Sequence, residues 1–169
     1  MKIVLIGFMG TGKTTVAPIL ATKLELEVVE MDDLIVAKAG GKSIPEIFKS
    51  GGEAEFRELE TAVSQDLGGR DNLVISTGGG VVTSEAAMYD LIKGAVVVEL
   101  NASFDTVIKR IDPKIPRPLF QDQAQARVLY EQRKPLYSSY AAIHVATDGK
   151  SVDEVAEDAL NQINKVKSS

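Results

Sequence analysis

Five short apolar runs, rich in Val, Ile and Leu, alternate with segments whose apolar residues recur at helical spacing. The runs indicate strands, and the third and fourth are almost unbroken in aliphatic residues, as in strands covered on both faces. Strands that alternate with helices predict a parallel sheet with helices on both sides, a three-layer α/β/α domain over residues 1–169. The predicted strands are Lys2–Ile6, Glu27–Glu30, Leu73–Thr77, Ala95–Leu100 and Ala142–Thr147, and the predicted helices lie near Thr14–Leu24, Asp32–Ala39, Ser43–Leu67, Ser84–Ile92, Phe104–Arg110, Gln123–Tyr140 and Val152–Val166.

The composition is that of an ordinary globular protein, with 44% hydrophobic and 25% charged residues. The absence of cysteine excludes disulfides, zinc–thiolate sites and thiol catalysis, and the net charge of −5 argues against a nucleic-acid binder. The single histidine, His144, falls inside the last predicted strand and is interpreted as structural. No apolar run approaches a membrane span, and no basic and apolar leader precedes the first strand. We therefore expect a cytoplasmic protein, or a protein of an organellar stroma if a transit peptide was removed. We also expect a monomer, although none of these observations determines the oligomeric state.

A phosphate-binding loop follows the first predicted strand. Residues Gly7–Thr14 read Gly-Phe-Met-Gly-Thr-Gly-Lys-Thr, and they lead from a strand into a helix, which is the setting that this motif requires. Backbone N–H groups of such a loop, together with the helix dipole, grip phosphate oxygens. Lys13 would reach the β- and γ-phosphates, and the Thr14 hydroxyl would hold Mg²⁺. The alternative, a glycine-rich turn that matches by chance, is weakened by the match at every position.

Two further segments fall at the predicted carboxyl ends of strands, where a parallel sheet binds its ligands. Asp32 and Asp33 follow the second strand, and a carboxylate there can hold Mg²⁺ or accept the proton of a substrate hydroxyl. Either aspartate could instead cap the next helix. Gly78, Gly79 and Gly80 close the third strand, and three successive glycines favour close approach of the backbone to a ligand over a plain turn.

Three arginines could complete a site for anions. Arg57 could fork onto a carboxylate, with Glu60 three residues later holding its orientation. Arg117 lies in a proline-rich segment that fits a mobile lid, and Arg133 lies on the helix that follows. Taken singly, Arg117 and Arg133 fit exposed surface positions better than a site, and the charged helix around Arg57 could be a solvated face.

Together these motifs resemble those of the shikimate kinases, a family within the group similar to nucleoside-monophosphate kinases, and the resemblance runs over nearly the whole chain. It implies a P-loop NTPase fold with a five-stranded parallel sheet in the order 2-3-1-4-5, a substrate-binding helical region at about residues 32–61 and a short lid at about residues 111–122. It also implies transfer of the γ-phosphoryl group of ATP to the 3-hydroxyl of shikimate, with Mg²⁺. The residues that carry the resemblance are Gly7–Thr14, Asp33, Gly41–Ile44, Glu55–Glu60, Thr77–Gly80, Arg117–Leu119, Arg133 and Pro135–Tyr137.

The resemblance implies a role for individual positions. Asp33 would bind shikimate hydroxyls and accept the proton, and Arg57 and Arg133 would fork onto the shikimate carboxylate. The implied shikimate-binding residues are Asp33, Phe48, Phe56, Arg57, Gly78, Gly79, Gly80 and Arg133. The implied ATP-binding residues are Gly10, Thr11, Gly12, Lys13, Thr14, Thr15, Arg110 and Arg117. Lys13, Asp33 and Arg117 would take part in catalysis.

One position departs from the family pattern, which has Asp-x-Asp after the second strand with the first Asp near Mg²⁺. With Asp33 aligned to the second Asp, Met31 occupies the first position, and Asp32 in an extended segment would face the other way. The metal would then rest on Thr14, phosphates and water, unless Asp32 or Glu30 substitutes through a local shift. Two alternatives stay open: a related kinase for another hydroxy acid, and a member that has lost catalysis and serves as a binding or regulatory protein.

Overall fold

The computed structural model describes residues 1–111, 114 and 122–167. Within these ranges the chain forms five strands, seven α-helices and a short 3₁₀ turn at Val81–Thr83. The strands are β1 (Lys2–Ile6), β2 (Glu27–Glu30), β3 (Leu73–Ser76), β4 (Ala95–Asn101) and β5 (Ile143–Ala146). The helices are α1 (Lys13–Leu24), α2 (Met31–Lys38), α3 (Ile44–Gly68), α4 (Glu85–Leu91), α5 (Phe104–Arg110), α6 (Gln123–Tyr140) and α7 (Val152–Lys167). None of the described helices is long and apolar enough to cross a bilayer.

The strands in the described ranges form one parallel sheet in the order β2-β3-β1-β4-β5, which confirms the predicted topology. β1 is the central strand, with β3 on one side and β4 on the other. All five residues of β1 are buried, as a strand covered on both faces requires. The loop that leaves β1 therefore emerges in the middle of the carboxyl edge, where open parallel sheets bind their ligands.

Two apolar cores cover the two faces of the sheet. Val4 and Ile6 point into a core shared with α2, α3, α4 and α6, whereas Ile3 and Leu5 point into a core shared with α1 and α7. Alternation along one strand thus feeds both cores, because successive side chains of a strand face opposite ways. This arrangement confirms the predicted three-layer architecture.

Helix α3 is kinked, and the kink positions its second half. Ser43 and Glu46 form a capping box at its N-terminus, in which the Ser43 N–H donates to the Glu46 carboxylate at 2.7 Å. Gly52 then adopts φ 68° and ψ −166°, which are not helical values. The helix resumes with a new direction and carries Phe56, Arg57 and Glu60 toward the carboxyl edge of the sheet.

Candidate active site

The loop between β1 and α1 has a backbone suited to phosphate. Gly7 and Gly12 have φ angles of 149° and 97°, and a Cβ at Gly7 would lie only 2.3 Å from the Leu100 carbonyl oxygen. Lys13 is buried, and its ammonium donates to the carbonyl oxygens of Gly7 at 2.7 Å and Phe8 at 3.1 Å. The lysine therefore lies within the curve of the loop, at a helix N-terminus that favours anions.

The hydroxyls of this loop have separate partners. Thr11 Oγ1 is buried and donates to a carbonyl oxygen of the loop at 2.8 Å, and Thr15 Oγ1 donates to the Gly12 carbonyl oxygen at 2.9 Å. The Thr14 side chain instead forms a hydrogen bond with the Glu30 carboxylate. The Thr14 hydroxyl is thus directed toward the carboxyl end of β2.

Arg110, the last residue of α5, borders a cavity beside the phosphate loop. Its guanidinium donates to Oγ1 and to the carbonyl oxygen of Thr147, each at 2.9 Å, and to the Gly10 carbonyl oxygen at 3.3 Å. The cavity has a volume of about 240 Å³ and lies between Gly12, Thr15 and the segment that follows β5. Arg110 therefore joins the phosphate loop, α5 and the end of β5.

The chain passes directly from β2 into α2 at Met31, and this determines which carboxylates reach the phosphate loop. Glu30 and Asp32 line a cavity of about 240 Å³ with Lys13, whereas Asp33 is exposed and does not contribute to that cavity within the described chain. The expectation that Asp32 faces away assumed an extended segment and is not met. In a helix, successive side chains are rotated by about 100° rather than about 180°.

Glu30 is held between two hydroxyls. Ser76 Oγ of β3 donates to Glu30 Oε1 at 3.0 Å, and Thr14 bonds the same carboxylate. Burial raises the pKa of the Glu30 carboxyl, and the bonds from Ser76 and Thr14 offset this only in part. Met31, the next residue, is fully buried in the apolar core, so it offers no group to the site.

The Thr14 hydroxyl and the Glu30 carboxylate are the oxygen ligands that Mg²⁺ prefers. No group of three or more His, Cys, Asp or Glu in the described part of the chain is arranged to hold a metal ion. A magnesium ion at this position would therefore need further oxygens from phosphates and water, which is the usual arrangement in kinases.

One arginine bonds the buried carboxylate of Glu60, and a second lies near enough to affect its charge. Arg57 Nη1 donates to Glu60 Oε1 at 2.8 Å, which is the predicted contact three residues along the helix. Arg133 of α6 is 5% exposed and lies near enough to Glu60 to lower the pKa of its carboxyl. Burial outweighs both guanidiniums, so the net effect is to raise the pKa of Glu60. Arg57 and Arg133 thus belong to one polar cluster and do not point to separate surfaces.

The glycine segment after β3 permits this close packing. A Cβ at Gly80 would lie 2.4 Å from Arg57 Nη2, and a Cβ at Gly78 would lie 3.3 Å from Asp32 Oδ1. The arginine cluster and Asp32 therefore lie against the same stretch of backbone. The space left by the missing side chains is occupied by protein groups here, and close approach of this backbone to a ligand stays a prediction.

Tyr137 ties α6 to that backbone, and sequence reasoning assigned it no role. Its hydroxyl donates to the Gly79 carbonyl oxygen at 2.5 Å and also bonds Arg133. Burial raises the pKa of the Tyr137 hydroxyl far above its usual range, so it remains a donor. Its place four residues after Arg133, on the same face of a helix, was the available signal.

Phe48 and Phe56 meet on the two halves of α3, with ring centroids 4.9 Å apart. The Phe56 ring is buried, and the Arg57 guanidinium carbon lies 5.2 Å from its centroid. The two aromatic residues therefore border the arginine cluster.

Within the described residues, His144 does not share a cavity with Lys13 of the phosphate loop. Its Nδ1 is 2.7 Å from Glu99 Oε2 on the neighbouring strand, and its side chain is half-exposed. Both residues line a cavity of about 340 Å³ between β4, β5 and α6, which also reaches Phe8 and Thr11 of the phosphate loop. Neither Lys13 nor the triple glycine lines this cavity. Arg117 and nearly all of the predicted lid at 111–122 lie outside the described residues.

A phosphate loop at the end of the central strand, in a sheet of this strand order, places the chain among the P-loop kinases. Comparison with known proteins gives the family. The chain matches the family model described as shikimate kinase over residues 9–164, and it belongs to the shikimate kinase family.

The similarity to individual family members extends over whole chains. A shikimate kinase of Persephonella marina is 37% identical over 163 residues, which cover 96% of this chain and 98% of that protein. One of Caldanaerobacter subterraneus subsp. tengcongensis is 38% identical over 169 residues, covering 98% of each. The solved structure of Acinetobacter baumannii shikimate kinase in complex with shikimate has a TM-score of 0.93 at 34% identity, covering 99% of this chain and 95% of that chain. A gluconokinase of Sinorhizobium meliloti, with a TM-score of 0.62 and 14% identity, shares the fold.

Proposed function

We propose that the protein transfers the γ-phosphoryl group of ATP to the 3-hydroxyl of shikimate, giving shikimate 3-phosphate and ADP. The main support is that Lys13 and Asp32 border one cavity, while Arg57 bonds Glu60 and the buried Arg133 acts on the charge of the same carboxylate. One site thus combines a phosphate loop, a carboxylate and two cations. Membership of the shikimate kinase family and the likeness to a solved shikimate complex support the same activity.

The phosphate loop supplies placement and positive charge. Lys13 and the N–H groups at the start of α1 would hold the β- and γ-phosphates. Transfer of a phosphoryl group proceeds through a transition state that needs alignment and charge stabilisation more than covalent help. The buried position of Lys13 suits this role, because a charge in a partly dry site acts more strongly on its neighbours.

Asp32, and not Asp33, is the proposed proton acceptor. Asp32 lies on the cavity that contains Lys13 and beside Gly78, whereas Asp33 is exposed on the next position of α2. A substrate hydroxyl bound at Asp32 would face the terminal phosphate, so one carboxylate could both orient the hydroxyl and accept its proton.

Thr14 and Glu30 would hold Mg²⁺, because they form a pair of oxygen ligands at the phosphate end of the cavity. When bound there, the ion would supply positive charge against the negative charge that develops on the transferred phosphoryl group. Glu30 then supplies the carboxylate that Met31 cannot. The alternative of a member without catalysis depended on Met31, and this geometry removes its basis.

The arginine cluster would bind the shikimate carboxylate. Arg57 and Arg133 are both held before any anion binds, since Arg57 bonds Glu60 and Arg133 bonds Tyr137. Preorganised guanidiniums fork onto a carboxylate at little entropic cost. We assign the remaining contacts to the N–H groups of Gly78–Gly80 and to the rings of Phe48 and Phe56, within the substrate-binding region 32–61.

On the nucleotide side, Arg110 borders the cavity that would take the base of ATP. The proposed nucleotide side also includes four residues at the phosphate loop, Gly10, Thr11, Gly12 and Thr15. Arg117 would close over the phosphates as part of the lid, a role that rests on the family pattern alone.

A coupled assay of ADP release with shikimate, at several Mg²⁺ concentrations, tests the proposal. Gluconate is a suitable control substrate because it is also a hydroxylated carboxylic acid. We expect kcat/KM for shikimate to exceed that for gluconate by about 100-fold or more, since a site built for the ring would leave polar groups unpaired with the open chain. Absence of shikimate-dependent ADP release would refute the activity, and preference for another acid would identify a related kinase.

A further inference from the structure

Asp148, two residues after β5, gathers several hydrogen bonds on one carboxylate. Its Oδ1 accepts from Ser103 Oγ at 2.7 Å and from Thr106 Oγ1 at 2.6 Å. The Ser103 backbone N–H also donates to both carboxylate oxygens, at 3.1 and 3.0 Å. These bonds from Thr106 and Ser103 hold the pKa of the Asp148 carboxyl below its usual range. One side chain therefore fastens the segment after β5 to the start of α5.

The opposite end of α5 grips the same segment. Arg110 donates to the carbonyl oxygen and to Oγ1 of Thr147, the residue that precedes Asp148. The cavity assigned to the nucleotide base lies between Arg110, Thr147 and the start of α7. The wall of that cavity is thus held to α5 at two points, one at each end of the helix.

The segment from 148 to 151 has little else to define its position against α5. All four of its residues are exposed, and Gly149 turns the chain with φ 69°. On its other side it is anchored to α7, where Lys150 bonds Asp158 and Ser151 forms a capping box with Glu154. An exposed loop without buried side chains depends on such polar contacts for its position.

The hydrogen bonds of Asp148 are not needed to begin α5. Ser103 already caps that helix, because its Oγ accepts the Thr106 N–H at 3.3 Å. The function of Asp148 therefore lies in the connection between α5 and the segment and not in the helix itself.

We propose that Asp148 is a positioning residue for the nucleotide. By fastening the 148–151 segment to α5, it sets the width of the cavity that receives the base. The inference rests on the proposed function, since it assumes that this cavity takes the base of ATP. It predicts an effect on base-dependent affinity without an effect on phosphate binding at Lys13.

Calorimetric titration of the metal-loaded protein with ADP and with inorganic tripolyphosphate tests this. In Asp148→Ala we expect the Kd for ADP to rise about tenfold, which corresponds to about 1.4 kcal/mol, because the wall of the cavity loses one of its two attachments to α5. The Kd for tripolyphosphate, which has no base, should remain within about twofold of the unaltered protein. Asp148→Asn keeps one acceptor oxygen, so its Kd for ADP should lie between the values for the unaltered protein and for Asp148→Ala.

Asp105→Asn is the matched control, since it removes an exposed carboxylate from the first turn of the same helix. It should leave both Kd values unchanged. If Asp148→Ala does not fold, Thr106→Val removes one donor from the side of α5 and should weaken ADP binding by about threefold to fivefold.

Two results would overturn the proposal. One is an ADP affinity that stays unchanged in folded Asp148→Ala, or in Thr106→Val where the first variant fails. The other is an equal loss of ADP and tripolyphosphate binding, which indicates general damage. Because binding is measured directly, the outcome is independent of turnover. If ADP affinity depends on Asp148 but the protein does not phosphorylate shikimate, the proposed function is refuted and this inference stays intact.

Discussion

Ser76 Oγ lies 3.0 Å from Glu30 Oε1, across the pair formed by β3 and β2. The two residues are direct neighbours in the register of the sheet, so the bond needs no distortion of either strand. It holds the Glu30 carboxylate beside the Thr14 hydroxyl. A carboxylate thereby stands at the phosphate loop even though the next residue, Met31, is turned into the core.

Replacement of Glu30 by Gln should stabilise the metal-free protein at pH 7. Because burial raises the pKa of this carboxyl, the folded state binds the proton more tightly than the unfolded chain does. The free energy of unfolding therefore falls as pH rises through the raised pKa, and neutral Gln avoids that loss. The gain in Tm should vanish as pH falls below about 4, where the carboxyl is protonated in both states.

The same variant should need more magnesium. We expect the Mg²⁺ concentration for half-maximal turnover to rise about tenfold or more, since a charge-assisted contact is lost. Thermal melts over pH and magnesium titrations of activity measure the two effects. A lower Tm together with unchanged magnesium dependence would exclude Glu30 from the metal site.

The adjacent pair of aspartates offers a matched test of the proton acceptor. Asp32→Asn should lower kcat by about 10²–10⁴-fold, the usual contribution of general acid–base catalysis. Asp33→Asn removes an identical group one residue later from an exposed position and should keep kcat within about twofold. Steady-state rates at saturating ATP and shikimate distinguish them, and the reverse pattern would restore Asp33 as the acceptor.

Arg133→Ala should chiefly impair the use of shikimate. Loss of a charge-assisted clamp on the carboxylate should lower kcat/KM for shikimate by about 10–150-fold, with KM for ATP little changed. Arg127→Ala is the control, because Arg127 is an exposed arginine six residues earlier on the same helix. Equal effects of the two substitutions would show that Arg133 acts only through the stability of α6.

Lys13→Met should lower kcat by about 10²–10³-fold while the Tm stays close to that of the unaltered protein. The methionine fills a similar volume but cannot stabilise negative charge at the phosphates. Coupled ADP release and a thermal melt suffice as measurements. A near-normal kcat would remove Lys13 from the mechanism.

The fold followed closely from the sequence because its signals are local. Every predicted strand and helix is present in the described ranges, with boundaries that shift by a residue or two, as at β5. The contact between Arg57 and Glu60 was also predictable, since residues three apart on a helix always share a face. The phosphate loop is equally local, as its glycines, its lysine and its helix are consecutive.

Sequence alone thus determined the elements, their parallel arrangement and the identity of the phosphate site. Tertiary structure alone decided which carboxylates surround it. Asp32 faces the loop and Asp33 does not, because α2 begins one residue earlier than predicted and rotates both side chains. The bonds from Ser76 to Glu30 and from Tyr137 to Gly79 join residues 46 and 58 positions apart. Contacts at such separations are set by how strands and helices pack, and no local periodicity encodes them.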